Sequence, residues 1–189
     1  LSYAQRRLWF LYRLEGPSPT YNITVALRFK GRLEADALEA ALADVAGRHE
    51  SLRTVFPSVE DTPRQEILAA ETARPVLACM GMSEAELPRR LSEAAGYCFD
   101  LDREIPFRAW LFRLDDEQYV LLLLCHHIAS DGWSMVPLVR DLGTAYEARC
   151  RGEVPGWRPL AVQYADYTLW QREPLGDGAD EHSLIARQP

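Results

Sequence analysis

The sequence has no run of about 18 apolar residues, so no stretch of it could cross a bilayer as a helix. The opening stretch, Leu1 to Leu14, is too charged for the apolar segment of a secretory signal. Basic residues are in deficit. Lys and Arg number 21 against 28 Asp and Glu, a formal net charge of −7, which opposes binding to nucleic acid or anionic lipid. No dense Lys/Arg run is interleaved with aromatics. The four cysteines, Cys79, Cys98, Cys125 and Cys150, lie far apart with no CxxC pair, which suits buried thiols in a reducing cytoplasm. There is no phosphate-binding loop, no GxGxxG, no internal repeat and no low-complexity segment. The chain opens at Leu1 without Met and reads as a piece of a longer protein.

What is present is one globular domain's worth of material: 189 residues, 48% hydrophobic and 26% charged. From Tyr21 to Lys30, apolar Tyr21, Ile23, Val25, Leu27 and Phe29 alternate with their neighbours, the period of a half-buried strand. From Glu34 to His49 the apolar residues recur three and four apart, with acids in the first turn, which predicts an amphipathic helix. Leu52 to Phe56 reads as a short strand, 58–64 as a loop, and Ser83 to Gly96 as a helix behind a Ser83/Glu86 capping box. Phe107 to Leu114 and Gln118 to Cys125, joined by Asp115-Asp116-Glu117, predict a hairpin. Its second arm is apolar at every position from Val120 to Leu124, as in a strand covered on both faces. A helix through Val136 to Tyr146 with Pro137 in its first turn, and a last helix over Val162 to Arg172 before the Gly/Asp-rich 176–180, complete the order. Hairpin strands mixed with helices imply an α/β sandwich, a mixed sheet packed with helices, rather than a doubly wound parallel sheet.

The segment richest in chemistry is Cys125-His126-His127-Ile128-Ala129-Ser130-Asp131-Gly132-Trp133-Ser134, at the end of the most apolar strand. Alternation sends His126 and His127 to opposite sides while the strand lasts. Asp131 begins the turn into the next helix, whose first amides point back toward the strand end. Two core histidines and an ordinary helix cap are one reading. A metal site needs three convergent ligands, and adjacent strand histidines diverge. A hydrolase could recruit Ser130 or Ser134, but neither lies in a G-x-S-x-G elbow.

The run HHIASDGWS resembles the HHxxxDG motif of the superfamily that joins chloramphenicol acetyltransferase to the condensation domains of nonribosomal peptide synthetases. Three further segments are similar to condensation motifs in the family's order: Ser2-Tyr3-Ala4-Gln5-Arg6-Arg7-Leu8-Trp9-Phe10-Leu11, Arg48-His49-Glu50-Ser51-Leu52-Arg53-Thr54-Val55-Phe56, and Tyr164-Ala165-Asp166-Tyr167-Thr168-Leu169-Trp170. The first two look most like domains that take an L-configured donor. Cys125, Ala129 and Thr168 stand where the family usually has Met, Ile and Ala, at positions read as packing.

The resemblance implies a chloramphenicol acetyltransferase-like two-layer sandwich. Residues 1–189 would be the N-terminal lobe of a two-lobed condensation domain, with the motifs of the second lobe absent. The implied reaction joins an aminoacyl or peptidyl thioester donor to an aminoacyl acceptor. Both ride on the phosphopantetheine of carrier proteins, so the lobe itself would bind no cofactor and no metal. By the same resemblance His127 takes the acceptor amine's proton or holds the amine in line, and these two roles stay open. His126 supports by hydrogen bonds in the core. Gly132 allows a tight turn and offers its amide to the oxyanion, or is a plain turn glycine. Asp131 forms a salt bridge with Arg53, Arg48 being the next candidate. Trp133 and Ser134 fall on the substrate side. Trp9, Trp133 and Trp170 line a channel or, the reading preferred here, belong to the core. Arg6, Arg7 and Arg13 meet an acidic carrier or simply face solvent. Implied partners are the second lobe, donor and acceptor carriers and an adenylation domain, in the cytoplasm. A coenzyme A-dependent acyltransferase and a catalytically silent recruitment module are the alternatives. The intact HHxxxDG weighs against the silent module.

Overall fold

The structure, a computed structural model, describes residues 1–175. Helix α1 (Tyr3–Glu15) leads through a 3-10 turn (Pro19–Tyr21) to β1 (Asn22–Lys30) and α2 (Ala35–Arg48). A second 3-10 turn (Glu50–Arg53) precedes four two-residue strands, β2 (Thr54–Val55), β3 (Ser58–Val59), β4 (Thr62–Pro63) and β5 (Glu66–Ile67). Then come β6 (Val76–Gly81), α3 (Leu87–Ala95), β7 (Phe107–Arg113), β8 (Gln118–His126), α4 (Met135–Cys150) and α5 (Tyr164–Leu175). The Gly/Asp-rich stretch from 176 to 180 lies outside the described residues.

The main sheet runs β1-β8-β7-β6. β8 is antiparallel to both its neighbours, while β6 joins β7 in parallel through the crossover that contains α3. This is the mixed sheet the hairpin implied. The two faces of β8 sort by parity. Leu121, Leu123 and Cys125 pack with Leu38, Leu42 and Val45 of α2 and Leu138, Leu142 and Ala145 of α4. Val120, Leu122 and Leu124 pack with Trp9 of α1, Leu87 and Ala94 of α3, and the loop residues Phe56, Phe99 and Leu101. Burying an aliphatic or phenyl side chain contributes about 1.5–3 kcal/mol. An uninterrupted apolar β8 is therefore the piece of sequence that holds both layers to the sheet.

Three departures from expectation have physical causes. Helix α3 starts at Leu87 rather than Ser83 because Pro88, lacking an N–H, must sit in a first turn. The Ser83 hydroxyl donates to Glu86 (2.7 Å) in a preceding turn instead of accepting from a helix amide. Leu52 to Phe56 is mostly not strand: Leu52 N–H returns to His49 O and the Thr54 hydroxyl to Glu50 O, which winds the 3-10 turn and leaves two extended residues. Cysteine burial holds only for Cys125, whose thiol burial pushes up to about 12; Cys79, Cys98 and Cys150 are exposed.

Helix α1 carries its own start signal. The Ser2 side chain accepts from Gln5 N–H while the Gln5 side chain accepts from Ser2 N–H, a complete capping box. Its far end closes on Gly16, which holds φ +79°, a conformation that favours glycine.

Candidate active site

His126 occupies the last rung of β8, opposite Asn22, on the face shared with Trp9 and Phe99. It is 2% exposed. Its Nδ1 accepts from Ile128 N–H (3.1 Å), which leaves the ring proton on Nε2. Burial, assisted by the neighbouring His127, pushes its pKa down to about 4, so the ring is neutral at ordinary pH.

A consequence is measurable. An unfolded histidine titrates near 6.5, so between about pH 6.5 and 4 the unfolded chain takes up a proton that folded His126 refuses. Stability is full above that window and falls as pH drops through it, by roughly 3 kcal/mol in total. Urea unfolding at a series of pH values should show this fall. His126→Asn, whose Oδ1 can replace the Nδ1 acceptor, should flatten it, and identical slopes in the two proteins would contradict the assignment.

The chain leaves the sheet at His127. The turn is fixed group by group: His126 N–H donates to Pro106 O (3.0 Å), His127 N–H to Tyr21 O (2.8 Å), and Ala129 N–H back to His126 O (3.0 Å). The strand thus ends one residue earlier than alternation would need to bury His127, and the residue is exposed. Asp131 and Gly132 are exposed beside it. A cavity of about 150 Å³ adjoins the turn, lined by His49, Ser51, Leu52, Ser130, Ser134 and Met135.

Asp131 is not paired with Arg53. Arg53 donates to Leu68 O and to Glu50 (3.3 Å), and the fallback Arg48 is held elsewhere. Asp131 instead accepts from the Ser134 hydroxyl (2.5 Å) and Ser134 N–H (2.9 Å) at the entry to α4. The Ser134 hydroxyl is the largest influence on its carboxyl and keeps it below the usual range against the opposing effect of burial; Ser134 N–H and nearby His127 act in the same sense. The cause is geometric, since a short polar side chain opening a turn reaches the amide and hydroxyl three residues on before any arginine across the fold. The Ser134 hydroxyl is thereby engaged in the turn before α4, whereas Trp133 stands 89% exposed next to it.

Gly132 needs no glycine-specific backbone, having no positive φ, and a Cβ there would meet nothing within 4 Å. The expected tight turn is not what requires it. Of the three tryptophans preferred as core, Trp9 is buried, its Nε1 donating to Phe56 O (3.2 Å), but Trp133 and Trp170 are exposed. Arg13 lies over the Trp9 ring and within 3.5 Å of Asp102, while Arg6 and Arg7 are exposed.

Sequence reasoning missed two clusters. Asp141, on the buried stripe of α4, accepts from Arg48 Nε (2.9 Å) and Arg140 Nη2 (3.2 Å) and bonds His49 Nε2 (2.9 Å). Its spacing from Leu138, Leu142 and Ala145 was the available signal, a charge inside an apolar stripe. The second is polar: Gln5 Nε2 donates to Ile128 O (3.2 Å), and Gln65 Nε2 donates to both Gln5 Oε1 (3.0 Å) and Thr168 Oγ1 (3.2 Å). Thr168 is therefore more than a packing position.

Among the described residues no group of three His, Cys, Asp or Glu side chains comes together as a metal site, and no helix is long and apolar enough to cross a membrane.

Comparison with known proteins fits this geometry. The family model of the condensation domain matches residues 1–182. The chain is 60% identical over 188 residues to a dimodular nonribosomal peptide synthase of Bacillus subtilis, and 54% identical over 191 residues to an isonitrile lipopeptide synthase of Mycobacterium tuberculosis. All of this chain but only 8% of each of those proteins is covered. Among solved structures, the X-domain from teicoplanin biosynthesis superposes with a TM-score of 0.89 at 44% identity, covering 98% of this chain and 40% of that one. The first condensation domain of the CDA synthetase gives a TM-score of 0.79 at 21% identity, over 96% of this chain and 46% of that one, a likeness of fold.

Proposed function

This chain belongs to the condensation-domain family of nonribosomal peptide synthetases, and on that premise we propose that it is the N-terminal, histidine-bearing lobe of a domain that joins two carrier-bound thioesters by an amide bond. The observation that carries the reading is the placement of His127. It is an exposed imidazole at a strand end whose own turn is held by hydrogen bonds on every side, next to the start of α4.

The acceptor's α-amine is mostly protonated near neutral pH and must lose that proton to attack. In the proposed reaction the neutral amine nitrogen bonds to the donor's thioester carbonyl carbon, the tetrahedral species collapses, and the C–S bond breaks. The proton given up by the amine matches the one the departing thiolate takes. His127 accepts the first or holds the amine in line by a hydrogen bond. Gly132, exposed next to it, has the open space that a substrate's approach requires. His126 and Asp131 keep the turn and the α4 entry in shape and do not touch substrate. Trp133 is offered to the opposite wall of the channel or to substrate.

That wall is a second lobe, as the chain's 40% and 46% coverage of the solved relatives supports. Carrier proteins for donor and acceptor, and an adenylation domain to load them, are the partners this reading entails. An L-configured donor is the subtype proposed. A second reading, recruitment of another enzyme, is favoured by one observation: the teicoplanin X-domain that superposes at 0.89 is also solved in complex with OxyB.

The test is single-turnover transfer between loaded donor and acceptor carriers, read by intact mass of the acceptor. The two-lobe domain should yield the condensed product. The isolated lobe, with one wall missing, should not rise above background, because attack requires both arms within about 3–3.5 Å. Product from the lobe alone would show that one wall suffices; none from the two-lobe domain would leave recruitment as the better reading.

A further inference from the structure

Gln5 is 2% exposed and lies in α1, yet its side chain bonds the turn that carries His127. Its amide has a defined orientation. Oε1 accepts from Ser2 N–H (3.1 Å) and from Gln65 Nε2 (3.0 Å), so Nε2 must face outward, to Ile128 O at 3.2 Å. Among the described residues it is the one side chain from another element that bonds the backbone of residues 126–129. The other bonds of the turn are local or come from the main chain of Pro106 and Tyr21.

The far side is anchored too. Gln65 Nε2 also donates to Thr168 Oγ1 (3.2 Å), whose hydroxyl donates to Tyr164 O (3.0 Å), and Ser2 Oγ shares a hydrogen bond with the Tyr164 hydroxyl (3.0 Å). A continuous polar chain therefore runs from α5 through the loop at Gln65 and the start of α1 to the carbonyl of Ile128, the residue after His127. We infer that Gln5 is a positioning residue for His127, the chain Thr168–Gln65–Gln5 fixing the Ile128 carbonyl and hence the direction in which the imidazole is presented.

The inference rests on the proposed condensation reaction. A glutamine is suited to the task because one side chain must accept twice and donate once; a carboxylate would face the Ile128 carbonyl with a second acceptor. Misplacement of a reacting group by about 1 Å can slow a reaction on the order of a hundredfold without altering what is bound.

The test is a cycle in the two-lobe domain, comparing wild type, Gln5→Leu, His127→Ala and the double variant, with kcat and the KM for acceptor carrier measured for each, together with thermal melts. Gln5→Leu should lower kcat by about 30- to 100-fold with KM within about twofold. In the His127→Ala background it should cause no further loss, because the group it positions is gone. Equal proportional losses in both backgrounds, or an unchanged kcat in Gln5→Leu, would overturn the inference. Should Gln5→Leu fail to melt cooperatively, Gln65→Leu replaces it, since Gln65 does not touch the turn and is only half-buried. A loss of about fivefold that disappears in the His127→Ala background supports the inference, and an additive or absent loss overturns it. An inactive wild type, or a His127→Ala variant as fast as wild type, would instead mark failure of the underlying reaction assignment.

Discussion

His127→Ala in the two-lobe domain is expected to slow single-turnover amide formation by about a hundredfold or more, the lower part of the range for removing a general acid–base group. Because the ring is exposed and its backbone, not its side chain, makes the bond to Tyr21 O, stability should change by no more than about 0.5 kcal/mol. The two adjacent histidines therefore separate experimentally. His127→Ala loses rate and keeps the fold, whereas truncating buried His126 strands the Ile128 N–H and empties space between Phe99 and the strand end, so the melt drops. If His127 acts on the amine's proton, raising pH toward the amine's own pKa, about 8, should narrow the gap between variant and wild type, since more of the amine is then already neutral. A gap that does not change with pH would favour alignment over proton transfer. A near-normal rate for the variant at pH 7 would remove His127 from the mechanism altogether.

The sheet was legible where side chains contrast. β1, β7, β8, α2 and α4 were read within about a turn of their bounds, β1, α2 and α4 because their apolar residues recur at a strand or helix period, and the β7–β8 hairpin because a polar turn joins it to an uninterrupted apolar run. β6 was missed, and Ala78, Cys79 and Gly81 explain it, being too small to mark a period of two on an edge strand where even Val76 is exposed. Helix α1 was read for its motif and not its shape, although Ser2 and Gln5, three apart, announced its start.

The site divides along a different line. What depends on strand parity was readable, such as the divergence of His126 and His127 and the burial of the first. What depends on side-chain reach across the fold was not. Asp131 looked like a partner for an arginine because both residues sit in family motifs, but a helix entry three residues long satisfied it locally. The arginine of the second motif that reaches an aspartate is Arg48, and that aspartate belongs to the middle of α4, while Arg53 pairs with Glu50 in its own turn.

That exchange of partners predicts which aspartate the fold depends on. Asp141 has a side chain 8% exposed, and burial by itself would push its carboxyl up; hydrogen bonds from His49, Arg48 and Arg140 together outweigh this and hold it below the ordinary carboxylate range. Its contribution is therefore present above about pH 3.9 and lost as pH falls through the folded value. Removing the carboxylate leaves the Arg48 guanidinium, 13% exposed and stacked 4.9 Å from the Trp157 ring, with only the Arg158 carbonyl to satisfy it. Breaking a buried pair from one side costs about 3–5 kcal/mol. For a chain of this size that corresponds to a melting point lower by roughly 10 °C. Asp131→Ala, by contrast, removes exposed hydrogen bonds within the turn before α4, at about 0.5–1.5 kcal/mol. Thermal melts of Asp141→Ala and Asp131→Ala should thus rank in that order, and the reverse order would show that Asp131 carries the buried charge after all. Arg48→Met combined with Asp141→Leu should recover most of the loss, because replacing both charges by apolar groups strands neither. If the double variant melts as low as Asp141→Ala, the pair is holding α2 to α4 by its geometry rather than merely avoiding an unpaired charge.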